Sequence, residues 1–95
     1  MKKFMVSHAL PKGLTRGELE QQVKSFQKDP DIRGYRSFIN LTQGTGICVI
    51  EAPSATRLAA WFKANNMPYD SITEVELEGY LGEWVETRTP VQTGV

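Results

Sequence analysis

Gly46-Ile47-Cys48-Val49-Ile50-Glu51-Ala52-Pro53-Ser54 constrains the fold more than any other stretch, because four consecutive apolar residues stand between a glycine and a proline with no polar position among them. A half-solvated strand alternates apolar and polar residues. An unbroken apolar run of this length, rich in β-branched residues, predicts a central strand covered on both faces. The other elements are expected to assemble around it.

Upstream, Lys3 to Leu10 alternates, with Phe4, Val6, His8 and Leu10 on one face and Met5, Ser7 and Ala9 on the other, which predicts a first strand. After Pro11-Lys12-Gly13, the stretch Leu14-Thr15-Arg16-Gly17-Glu18-Leu19 predicts a helix start. Thr15 is the N-cap, Glu18 its reciprocal partner in a capping box, and Leu14 and Leu19 the hydrophobic staple. Leu19, Val23 and Phe26 recur at helical spacing as the expected buried stripe. Lys28-Asp29-Pro30-Asp31 ends this helix, since the residue before a proline is pushed out of the helical region. Tyr35 to Leu41 reads as a second strand, joined through Thr42-Gln43-Gly44-Thr45-Gly46 to the central strand as a hairpin. Ser54 caps a second helix whose Leu58, Trp61 and Phe62 share the buried face, and Asn65-Asn66-Met67-Pro68 stops it. Ser71 to Glu78 alternates strictly and predicts one edge strand carrying Glu74, Glu76 and Glu78.

The order strand, helix, strand, strand, helix, strand is that of the ferredoxin-like α+β fold, βαββαβ, with an antiparallel sheet and both helices on one face. Strands one and three then form its centre. Helices cover one face only, while Ile47, Cys48, Val49 and Ile50 supply apolar side chains to both. A second sheet is therefore expected to close the open face, giving a homodimer of the dimeric α/β barrel type in which Arg36 meets glutamates of the partner's outer strand. Residues 1–86 are read as one domain. Its extension from about residue 79, with Tyr80, Leu81, Trp84 and Val85, adds a strand or clasps a partner, and residues 87–95 read as a loose tail.

Composition narrows the class of function. A chain of 95 residues suffices for one domain, burying roughly 60–70% of the surface that its unfolded form exposes. Eleven basic residues balance eleven acidic ones, so no overall field draws in nucleic acid or an anionic membrane, and neither is expected as a partner. One cysteine makes no internal disulfide, and no signal peptide or membrane span is recognisable, so a cytoplasmic setting is expected. There is no phosphate loop, no pair of metal-binding cysteines, no His-Glu-x-x-His helix and no nucleophile elbow. Asp70, Glu74, Glu76, Glu78, Glu83 and Glu86 follow Ala64 without an intervening lysine or arginine, a charge run that ordinarily keeps a sheet edge from pairing wrongly.

The phrase Gly46 to Ala55, followed by Asn66-Met67-Pro68-Tyr69-Asp70-Ser71-Ile72-Thr73-Glu74-Val75, resembles a family of small bacterial nickel-binding proteins over roughly residues 2–78. The resemblance rests on the strand cysteine, the Glu-Ala-Pro after it and the proline-led approach to the last strand. It implies a ferredoxin-like fold that pairs into dimers, and nickel or another divalent metal as cofactor. Metal-rich members of that family carry several histidines, and this sequence has His8 alone.

His8 is the candidate metal ligand and the candidate proton-transfer group, although a single strand histidine most often serves packing. Divalent nickel favours tetragonal nitrogen and oxygen donors, so His8 would need help from Cys48, from a carboxylate such as Glu51, or from a second subunit. Cys48 in an apolar strand ordinarily acts as a small hydrophobe, and a reactive thiolate there needs a cationic neighbour. Tyr35, Arg36, Tyr69 and Asp70, near strand ends or in the loop before strand four, are candidates for a pocket rim. The expected function is a small ligand-binding or metal-binding protein. The alternative is a small dimeric enzyme of isomerase, cyclase or monooxygenase type, in which His8 moves protons while Tyr35 or Arg36 orients the substrate.

Overall fold

The structure, a computed structural model, describes residues 1–87. In chain order the elements are β1 (Lys2–Ala9), α1 (Arg16–Lys24), β2 (Arg33–Asn40), β3 (Thr45–Ala52), α2 (Ala55–Ala64), β4 (Ser71–Glu74), β5 (Leu77–Tyr80) and β6 (Glu83–Glu86). The class is mixed α+β. An antiparallel sheet runs in the order β2-β3-β1-β4, and β5 pairs with β6 in a separate hairpin. The apolar run thus lies on β3, between β2 and β1 as its interior position requires. None of the helices among the described residues is long and apolar enough to cross a membrane.

Alternation along β1 sorts the sheet into two faces. Phe4, Val6 and His8 are buried toward α2, joined there by Ile50 and Ala52 of β3 and by Leu58 and Phe62 of α2. Ser54 accepts the Arg57 N–H at the start of α2, and Asn65 Nδ2 donates to Trp61 O at its end, so both termini of that helix are satisfied. The opposite face is open. Met5, Phe38 and Ile47 are exposed on it, and Val49 is half-buried. The run Ile47 to Ile50 is therefore covered by helix on one face only, as a ferredoxin-like arrangement expects, with its other face open in the single chain.

Helix α1 begins as predicted, with Thr15 and Glu18 exchanging both bonds of the capping box. It ends at Lys24 with Ser25 as C-cap, before the Lys28-Asp29-Pro30 signal. Its expected buried stripe is a correction, because no α1 residue is buried: Val23 is exposed and Leu19 only half-buried. The cause lies in where its carboxyl end is tied. Trp61 Nε1 donates to Gln27 O at 3.1 Å, the Gln27 N–H donates to Asn65 Oδ1 at 2.8 Å, Phe26 stands edge-on to Trp61, and Arg57 pairs with Asp29. These ties anchor the segment after α1 to α2 rather than to β2, and the helix stands off the sheet.

The predicted edge strand from Ser71 to Glu78 is two elements. The Val75 N–H makes a bond to Lys3 O at 2.9 Å, after which Glu76 O accepts from the Thr87 N–H and Val75 O from Thr87 Oγ1. Thr87 thus captures the chain where β4 leaves β1, and β5 starts at Leu77 as the first arm of the hairpin. Glu74 remains on β4 beside Lys2, whereas Glu78 on β5 bonds Lys3 Nζ at 2.6 Å and accepts from Tyr35 Oη at 2.6 Å. Thr87, read as the first residue of a tail, is the hairpin's clasp; the rest of that tail lies outside the described residues.

Candidate functional site

The stand-off of α1 leaves a cavity of about 680 Å³ between that helix, the sheet and α2. Leu19, Val23 and Phe26 form one wall and Trp61, Phe62 and Met67 the other, so the stripe expected to be core instead lines a space. The sheet contributes three polar side chains to this lining, His8 from β1, Ser37 from β2 and Cys48 from β3, while Gln22, Gln27, Lys28 and Asp29 line it on the α1 side.

Strand register brings them together. Cys48 lies opposite Val6 on one side and Ser37 on the other, while His8 lies opposite Gly46. Residues paired across antiparallel strands share a face, and diagonal neighbours are within reach of long side chains. Gly46 is buried, and a Cβ there would come within 2.6 Å of Ile39 Cδ1, so a larger residue would push the Ile39 side chain, which lines the cavity, out of place. Ser37 Oγ donates to Cys48 Sγ at 3.3 Å.

His8 is only 7% exposed, its ring set edge-on to Phe62 with centroids 5.6 Å apart. Its Nδ1 lies 3.0 Å from Pro68 O, and a carbonyl can only accept, so Nδ1 carries a proton and Nε2 is the nitrogen left to take another. Interaction with the Cys48 thiol raises the imidazole above the usual histidine range; desolvation opposes this, and the Pro68 carbonyl and Asp70 charge add to it. Burial alone would push the Cys48 thiol up. Hydrogen bonding from His8 and Ser37, with the charge on His8, outweighs it and holds the thiol below its ordinary value. The two shifts have the signs of a thiolate–imidazolium pair.

The remaining predicted residues do not share this floor. Tyr35 and Arg36 stand with Lys3, Glu78 and Tyr80, where the Arg36 guanidinium lies 5.7 Å from the Tyr35 ring and 5.5 Å from that of Tyr80. They stand apart from the cluster of His8, Ser37 and Cys48. Tyr69 packs against Phe62, with centroids 5.3 Å apart, and the Asp70 N–H donates to Ser7 O at 2.8 Å, which places both at the His8 end of the sheet. Ser37 escaped notice in the sequence. Its only signal was its place one residue from Phe38 on the opposite face of β2.

The donor set does not fit a nickel centre. Among the described residues no three His, Cys, Asp or Glu side chains gather where they could hold a metal ion, and the whole sequence has one histidine and one cysteine. Glu51 turns away to Arg33, 3.9 Å distant. Two adjacent donors fall short of a tetragonal set.

Comparison with known proteins adds two findings. The sequence model of a family described as nickel responsive protein SCO4226-like matches residues 4–75, which take in β1 through β4 and leave out the β5-β6 hairpin. The crystal structure of SCO4226 from Streptomyces coelicolor A3(2) is similar, with a TM-score of 0.71 at 26% sequence identity over 81% of this chain and 99% of that chain. No curated protein matches.

Proposed function

The chain belongs to the nickel-responsive SCO4226-like family, and on that premise we propose that it is a small-molecule-binding protein. The ligand enters between α1, the sheet and α2 and sets its polar end on His8, Ser37 and Cys48. One observation carries this reading: three polar side chains from three strands meet on the sheet floor of a cavity of about 680 Å³ whose walls include Leu19, Val23, Phe26, Trp61, Phe62 and Met67, the usual form of a small-ligand site. A function tied to nickel is supported by the family's description alone. The reading therefore routes nothing through a metal held on this chain.

The same reading takes the fold as ferredoxin-like and the open sheet face as the seat of a second copy. Met5, Phe38 and Ile47 are exposed side by side there, and a facing sheet supplies the cover that the apolar run lacks.

Thermal shift and calorimetry with a panel of flat apolar ketones, phenols and carboxylates test the cavity. A ligand at 100 times its dissociation constant is expected to stabilise the protein by about 2.7 kcal/mol. A Leu19→Trp substitution, which fills the wall, should abolish that gain while leaving the fold intact. A panel that shifts neither protein, or both equally, would remove the cavity as the site. Nickel titrated into the intact protein should give weak heats, unchanged in His8→Ala.

A further inference from the structure

We propose that Cys48 is a nucleophile that adds covalently to α,β-unsaturated carbonyl compounds held in the cavity, with His8 taking and returning the proton. This rests on the cavity being a ligand site and goes beyond it by naming a reaction. The thiol lines the cavity, Ser37 Oγ donates to its sulfur, and His8, diagonal to Cys48 in the β1–β3 register, is held by the Pro68 carbonyl with Nε2 left as the proton acceptor. A nucleophile, a base and an orienting acceptor thus come together.

Conjugate addition is the thiol chemistry that needs no more than this. Acyl transfer requires, besides the nucleophile and its base, donors aimed at an oxyanion and a base for water, neither of which conjugate addition needs. In the addition, the thiol proton passes from Cys48 Sγ to His8 Nε2, and the sulfur lone pair forms a bond to the β-carbon. The carbon–carbon π pair moves to the α-carbon as an enolate, which takes the proton back from His8 Nε2. Nothing is oxidised or reduced, no group leaves, and the protein gains the whole mass of the enone.

Benzylideneacetone and its saturated counterpart benzylacetone separate this inference from simple binding. On the intact protein, mass spectrometry should find a single adduct at Cys48, and its rate should saturate with enone concentration and fall when benzylacetone competes. At pH 7 the folded protein should react roughly tenfold faster than the urea-unfolded chain, in which the thiol has its ordinary acidity. As pH falls, the rate should persist below the range in which the unfolded thiol loses its charge. The groups that bear on that profile are His8 on β1, itself under the Asp70 charge ahead of β4, and Lys28 and Asp29 in the cavity lining. His8→Gln should bring the rate down toward the unfolded value and remove the acid-side advantage; should that variant fail to fold, the profile of the intact protein decides. Reaction no faster in the folded protein, with benzylacetone still binding, would overturn the nucleophile and spare the cavity. Absence of both reaction and benzylacetone binding would overturn the cavity as well.

Discussion

Gly44 and Gly13 both adopt positive φ, +70° and +84°, yet only at Gly44 would a Cβ collide, 2.8 Å from the Leu10 carbonyl oxygen. That carbonyl belongs to the strand end that docks on the β2–β3 turn, where the Leu10 N–H donates to Gly44 O at 2.8 Å. Gly13→Ala is expected to cost about 1–2 kcal/mol, the penalty of a left-handed alanine, and Gly44→Ala clearly more. Urea unfolding measures both, and equal losses would show that the contact with Leu10 carries nothing. At this scale the sequence was only partly informative. The alternation through Phe4, Val6 and His8 foretold that the imidazole faces the helices, because a period of two leaves no choice. It could not bring His8 to Cys48, forty positions away, since that meeting depends on β1 pairing with β3 so that Gly46 and not a larger residue lies opposite His8.

The two helices differ in what they bury, and substitutions should report it. Leu58→Ala on α2, at a fully buried position, is expected to cost about 2–5 kcal/mol. Val23→Ala on the stand-off helix should change stability by less than about 0.5 kcal/mol; comparable losses in denaturant unfolding would mean that α1 is packed after all. The capping box was legible because it is local to Thr15 and Glu18. The stand-off was not, because an apolar stripe says which face turns inward and not how far away the partner lies. Alternation also hid the end of β4, since Ile72, Glu74, Glu76 and Glu78 keep a strand's rhythm across the point where Thr87 takes the chain. The hairpin has its own pH signature. Lys3 first, then Tyr35, hold the Glu78 carboxyl below its ordinary value, so this contribution is present above the usual carboxylate range and is lost as pH falls through the depressed folded value. Trp84 fluorescence, read in a Trp61→Phe background, should therefore change at acid pH, and the change should disappear in Glu78→Gln. A transition that survives the substitution would place its origin elsewhere.

For the whole molecule, the exposed row Met5, Phe38 and Ile47 predicts that Ile47→Asp, on the interior strand β3 of the open face, produces monomers by sedimentation equilibrium at concentrations where the parent protein is a dimer. A parent that is monomeric at micromolar concentration would remove that proposal. The sheet order has another consequence, for how the chain comes to be folded. β1 is made before both of its neighbours, β3 at residues 45–52 and β4 at residues 71–74. Pairing so distant in sequence closes large loops before it yields contacts, and it slows folding. On the ribosome, Phe4 and Val6 wait uncovered until β3 and then Leu58 and Phe62 of α2 have cleared the exit tunnel, and the second edge of β1 waits longer still for β4. Stalled nascent chains should stay sensitive to protease at every length that leaves Ile72 inside, and become resistant together once it has emerged.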